Sequence, residues 1–210
     1  KMQIETFVEK RSEAIEKWET AGSLAWWNLA TTGDPKYAEE MTQAKIALRQ
    51  LFSSKEDLQY LLEQPLTKEP LLQRQITLLL HGYRENQVPS SLIEEIAQLE
   101  SEIETVYTNF RHTVNGVSLS NNDLKQILLT SDSSKERQEA WEATKLIGEK
   151  VQEDVLKLIA LRNKSAQTAG FSNFYTMRLE LQELDEKRLF TLLDELEKAT
   201  EVTWKEYKSS

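Results

Sequence analysis

The sequence predicts an all-α fold, on three observations. Glycine and proline number only 6 and 4 in 210 residues, so few breaks are available and long helices are expected. Apolar residues recur at spacings of three and four along most of the chain. No stretch alternates convincingly enough for a strand, and neither a repeat nor a low-complexity linker is present. The expected architecture is a single region, 1–210, of roughly eight or nine helices packed antiparallel through short connections.

The first helix places Ile4, Phe7, Val8, Ile15, Trp18, Gly22 and Ala25 on one face, with Arg11 the one polar intruder, and ends near Thr31-Thr32-Gly33. Asp34-Pro35 restarts the chain, a good N-cap with proline in the first turn. Tyr37, Met41, Ala44, Leu48 and Leu51 form the inner stripe of that second helix. Ser53-Ser54 precede a short helix through Leu58, Leu61 and Leu62, closed by Pro65. Pro70 opens the next, with Leu72, Ile76, Leu79, Leu80 and Tyr83 inward and His81-Gly82 and Pro89 at its end.

Ser90 or Ser91 caps a long helix, with Glu94 at the capping-box distance from Ser91. Its stripe of Leu92, Ile96, Leu99, Ile103, Val106 and Phe110 is the cleanest in the protein. It spans under four heptads, so it reads as packing within one domain rather than as a coiled-coil seam. Asn115-Gly116 is a turn, and Asn121 or Asn122 caps a short helix to Leu129. The longest pattern opens at Ser131 to Ser134 and runs through Trp141, Ile147, Val151, Val155, Leu158 and Ile159 to Ala169. Gly170 is placed as a left-handed C′ residue. Another helix begins near Ser172, and the last runs from Asp185 through Leu189, Leu193, Leu196 and Thr200 to Tyr207.

At 39% hydrophobic and 29% charged, the mixture is one that folds. The formal net charge of -9 argues against a nucleic-acid partner and against an anionic membrane surface. No apolar run reaches transmembrane length. The start, Lys1-Met2-Gln3-Ile4-Glu5, already has a helical pattern and is no signal peptide. Opening on Lys1, the chain is expected to be a processed or cloned fragment. The absence of cysteine excludes disulfides and thiolate metal sites and is compatible with the cytoplasm, the expected compartment.

Candidate chemistry is sparse. The two histidines, His81 and His112, lie in no His-Glu-x-x-His, and neither has a glutamate three residues before it, since Leu78 and Asn109 stand there. Both read as surface or partly buried structural residues, and a helical carboxylate metal site is nearly excluded. The pairs Glu39-Glu40, Glu94-Glu95 and Asp194-Glu195 read as solvated faces. No nucleophile elbow and no phosphate-cradling glycine loop is present. Catalytic and metal-ligating residues are therefore expected to be absent from this chain. Among its five tryptophans, Trp26 and Trp27 are adjacent. Neighbours on a helix point about 100° apart. The favoured reading puts both between helix layers; the alternative turns one toward a cavity or a partner.

Two segments carry a resemblance. Ala25-Trp26-Trp27-Asn28-Leu29-Ala30-Thr31-Thr32-Gly33-Asp34 is similar to the Trp-x-x-x-Thr segment joining the first two helices of angiotensin-converting-enzyme-like peptidases, with the match on Trp27 and Thr31. Ala140-Trp141, the long helix to Leu161-Arg162-Asn163, and then Ala169-Gly170-Phe171-Ser172-Asn173-Phe174-Tyr175 resemble the helix–corner–helix of the same peptidases and of their oligoendopeptidase F and thimet oligopeptidase relatives.

The resemblance implies a nearly all-helical enzyme with a deep central channel. Zinc is held there by His-Glu-x-x-His and a later glutamate, and the motif glutamate activates zinc-bound water against a peptide bond. It implies that this chain is the N-terminal lid and channel wall, inactive alone, with the zinc-holding catalytic region following Ser210. The implied partners are that catalytic region and an oligopeptide substrate. Trp26, Trp27 and Tyr175 become candidates for the channel lining, and Arg162, Asn163, Gly170 and Phe171 form a structural corner that turns the scaffold helix back onto the body. The apolar arc of Leu189, Phe190, Leu193, Leu196, Trp204 and Tyr207 is too wide for one contact, so an exposed apolar face and self-association are expected. The rival reading is a self-contained helical interaction module without enzyme activity.

Overall fold

The structure, a computed structural model, describes residues 3–114 and 116–209. Its helices are α1 (Ile4–Thr32), α2 (Lys36–Leu51), α3 (Lys55–Leu62), α4 (Pro70–Glu85), α5 (Ser90–Asn109), α6 (Asn121–Thr130), α7 (Ser134–Ala143), α8 (Leu146–Thr168), α9 (Phe174–Leu181) and α10 (Glu186–Ser209). One short hairpin, β1 (His112–Val114) and β2 (Val117–Leu119), pairs antiparallel with Thr113 opposite Ser118. The all-α array stands as the periodicity predicts.

α1 packs along α2, α2 on α5, and α5 on α8, so the scaffold is a row of long helices. Leu92, Ile96, Leu99 and Leu158 fill the α5–α8 seam, as the spacing of the cleanest stripe demands. Farther along that stripe Val106 is exposed and Phe110 has left the helix for extended backbone. The α3–α4 pair closes against the start of α1 through Phe7, Val8, Leu61, Ile76, Leu79 and Tyr83. Leu62, read as inward, is exposed.

Arg11, the polar intruder, is explained here. Its guanidinium donates two hydrogen bonds to Asp57, from Nε at 2.8 Å and from an Nη at 2.9 Å. The buried Tyr83 hydroxyl donates to the same carboxylate at 2.7 Å. Burial first, and then the Asp57 carboxylate, push the Tyr83 phenol well above its ordinary range.

Several local expectations are corrected. His81-Gly82 does not end α4, which continues to Glu85. A Cβ at Gly82 would lie 2.6 Å from the Phe52 ring, so the glycine makes room for that ring rather than stopping the helix. The capping box at Ser91 does not form: Pro89 occupies the N-cap, and Glu94 reaches Gln50 instead, at 3.5 Å. The cap of α6 is Ser120, one residue before Asn121, in a reciprocal capping box with Asp123.

The longest pattern is two helices. At Thr144 the side-chain hydroxyl donates to the Trp141 carbonyl at 2.6 Å, and the Lys145 amide bonds three residues back to Glu142. That local competition for carbonyls breaks the ladder between α7 and α8. The hairpin was not foreseen either. Of the Asn115-Gly116 turn, Asn115 lies outside the described residues, as do Lys1 and Met2, while Gly116 has φ 80°. Leu124, Ala140 and Ala143 bury a small core between the hairpin, α6 and α7. No helix of the described residues is long and apolar enough to cross a membrane.

Candidate functional site

The corner after α8 is built from its backbone outward. Gly170 has φ 93°; its N–H donates to the Gln167 carbonyl at 3.1 Å, and the Phe171 N–H reaches back to Ala166 at 2.9 Å. This pair of bonds is the Schellman closure, which needs a left-handed residue at C′. Asn173 then caps α9, accepting from the Thr176 N–H at 2.9 Å. Asn163 ties the two helices together, its Oδ1 accepting from the Phe174 N–H at 3.0 Å. Phe171 and Phe174 pack on the buried Ala166, Met177 and Leu181. The Arg84 guanidinium lies 5.2 Å from the Phe171 ring centroid and that of Arg162 lies 5.2 Å from Phe174.

Behind the corner lies a cavity of about 340 Å³ between α2, α4, α5, α8 and α9. Its polar lining includes Arg49, Glu85, Glu100, Arg162 and Arg178. Glu100, with its side chain only 11% exposed, receives Arg49 at 3.0 and 3.2 Å and Arg162 at 2.9 Å. Burial alone would raise the Glu100 carboxyl; Arg49, Arg162 and Lys45 outweigh it and hold the group below the ordinary carboxylate range. Lys45 moves opposite to a well-paired lysine. Its 3.8 Å approach to Glu100 is too long to offset burial, which pulls its ammonium down. Arg178 donates to both Glu85 oxygens, at 3.0 and 3.2 Å, fastening α9 to α4.

The corner residues singled out in the sequence, Arg162, Asn163, Gly170 and Phe171, thus meet in one junction. The channel candidates do not meet there. Trp26 and Trp27 are 46% and 61% exposed, which corrects the reading of both as core, because successive side chains leave a helix in different directions. Trp26 donates to Glu104 at 3.1 Å and lines a groove between α1 and α2. Trp27 lines neither that groove nor the corner cavity, and its carbonyl accepts from Thr31 Oγ1 at 2.8 Å. Tyr175 is half-exposed on α9. Glu100, Arg49, Arg178 and Glu85 went unrecognised in the sequence, where an isolated charge on an amphipathic helix looks like any solvated residue.

His112 is fully buried, against the expectation of a surface or partly buried residue. Its Nδ1 lies 2.6 Å from the Ala143 carbonyl and its Nε2 2.8 Å from Asn121 Oδ1, so the imidazole joins β1 to α6 and α7. Both nitrogens are thereby committed. His81 sits apart on α4, its Nδ1 buried without a partner. Among the described residues no three His, Cys, Asp or Glu side chains converge as metal ligands.

The family model described as angiotensin-converting enzyme matches residues 1–208. The chain belongs to that peptidase family. The match covers both segments that carried the resemblance; a tie to oligoendopeptidase F and thimet oligopeptidase is not shown by it. No curated protein matches the chain. The zinc that an angiotensin-converting-enzyme-like peptidase implies does not fit the donors described here, since one histidine is doubly tied and no carboxylate cluster joins the other.

Proposed function

We propose that this chain is the N-terminal lid and channel-wall region of a zinc-dependent oligopeptidase hydrolysing peptide bonds of short peptides, and that it is inactive alone. The observation that carries this reading is the family match over 1–208 in a chain without His-Glu-x-x-His. A second observation supports it. α10 buries no residue, while Phe190, Leu193, Leu196, Trp204 and Tyr207 are all about half exposed or more. A 24-residue helix with so wide an apolar arc is built to lie against something.

In this reading α10 and the exposed face of α1 meet a catalytic region of the same protein that supplies the zinc ligands. Trp26, Trp27 and Tyr175 are the side chains offered to the oligopeptide. Uncovered, the α10 face drives self-association. The cysteine-free composition fits the cytoplasm as compartment.

The test is the reading frame past Ser210 and the protein it encodes. The continuation is expected to encode His-Glu-x-x-His, and the continuous protein to cleave an internally quenched peptide in a zinc-dependent manner. The 210-residue chain is expected to cleave nothing and to show no tight stoichiometric zinc site by calorimetry. A stop codon after Ser210, or peptide cleavage by the chain itself, refutes the proposal. The stop codon would favour a self-contained helical module.

A further inference from the structure

A groove of about 380 Å³ runs between α1 and α2, away from the corner. Two of its walls are indoles, Trp18 and Trp26, and its floor is Gly22 against Ala44. Residues 18, 22 and 26 follow at i, i+4 and i+8, so Gly22 lies about one turn from each of two aromatic side chains that are themselves about two turns apart. A Cβ built at Gly22 would already touch the Ala44 Cβ at 3.5 Å, so the floor is formed by close helix approach. The Trp26 ring is held by its bond to Glu104. The groove is thus aromatic, preformed and open.

One wall carries Lys45, whose side chain is one-third exposed. The carboxylate nearest to it is already engaged: Glu100 accepts from Arg49 with both oxygens and from Arg162 with one of them. Lys45 therefore keeps only a 3.8 Å ion pair, and the three cations facing Glu100 outnumber it and Glu104 together. A partly buried ammonium with unspent donors, beside two tryptophans, complements an aromatic ring bearing a carboxylate. Glu19 on the opposite rim repels a second negative charge.

We propose that the α1–α2 groove binds a small monoanionic aromatic carboxylate, its ring between Trp18 and Trp26 and its carboxylate on the Lys45 ammonium. The site shares Trp26 with the proposed channel lining, but its test is binding to the chain alone and does not depend on peptide hydrolysis.

The test is fluorine NMR on the whole chain labelled with 5-fluorotryptophan, titrated with N-acetyl-L-phenylalanine. Each of the five tryptophan signals is assigned by a Trp→Phe variant. The expected result is saturable shifts of the Trp18 and Trp26 signals, with those of Trp27, Trp141 and Trp204 unmoved. N-acetyl-L-phenylalaninamide, which lacks the charge, is expected to bind about tenfold more weakly. Lys45→Gln should weaken the carboxylate by a similar factor and leave the amide unchanged. The amide comparison needs no mutation, so a variant that fails to fold does not decide the matter. No saturable shift, equal affinity for acid and amide, or shifts confined to the other tryptophans overturns the proposal.

Discussion

Replacing Gly170 by alanine isolates the backbone contribution of the corner, because space is not at issue there. A Cβ at Gly170 meets nothing within 4 Å, so the substitution adds no steric overlap with another side chain. What it adds is an L-residue at φ 93°, which costs about 1–2 kcal/mol. The lower entropy of the unfolded alanine chain offsets about 0.5 kcal/mol of that. Gly170→Ala should therefore destabilise by about 1 kcal/mol. Gly148 provides the control: it lies in the first turn of α8, has equally open space and carries no positive φ. Gly148→Ala should stabilise by about 0.5–1 kcal/mol. The chemical change is the same in both, so the difference of about 2 kcal/mol reports the left-handed conformation alone. In a chain of this size it corresponds to about 4–8 °C between the two midpoints. Gly170→Asn, which tolerates left-handed backbone, should fall between Gly170→Ala and the wild type. Urea denaturation followed by circular dichroism at 222 nm measures the free-energy differences at constant m, and thermal melts at the same wavelength measure the midpoint shift. Equal effects at 148 and 170, or a neutral Gly170→Ala, would refute the Schellman corner.

Four further outcomes are expected. Asp57→Ala strips Arg11 and the buried Tyr83 hydroxyl of their shared acceptor and should cost about 2–3 kcal/mol in urea denaturation. Because the folded state raises the Tyr83 value, its contribution is present below the ordinary tyrosine value of about 10 and is lost as pH climbs through the raised one. Tyr83→Phe should accordingly lower stability at neutral pH and flatten the alkaline limb; an unchanged alkaline limb refutes the assignment. Glu100 is shifted the other way, so its contribution is present above the ordinary glutamate value and is lost as pH falls through the lowered one. Glu100→Gln leaves Lys45, Arg49 and Arg162 facing one another, should cost about 2–3 kcal/mol, and should become less harmful at low pH. A penalty independent of pH counts against the charge argument. For α10, sedimentation should show the chain self-associating and a dye for apolar surface should bind it, with both reduced in Trp204→Glu; a monomer silent to the dye contradicts an uncovered face.

Periodicity by itself determined the helices, because amphipathic spacing is a property of each segment alone. Leu92, Ile96 and Leu99 could be assigned to the core without knowing what they touch, and Gly170 could be assigned to a corner because few residues adopt left-handed backbone freely. The family was legible for a related reason: the Trp27–Thr31 segment and the Arg162–Tyr175 corner are local patterns that survive without their surroundings. Tertiary structure alone decided the pairings. Nothing near Arg11 in the chain names Asp57, 46 residues away, and nothing near Arg162 names Glu100, 62 residues away. Gly82 was misread as a stop because the ring that needs its space, Phe52, arrives from another helix. The break at Thr144 was missed because its hydroxyl turned back onto its own helix, a competition that composition does not reveal. Exposure of Trp26 and Trp27 was also beyond the sequence, since a helix has no outward face until its neighbours are in place.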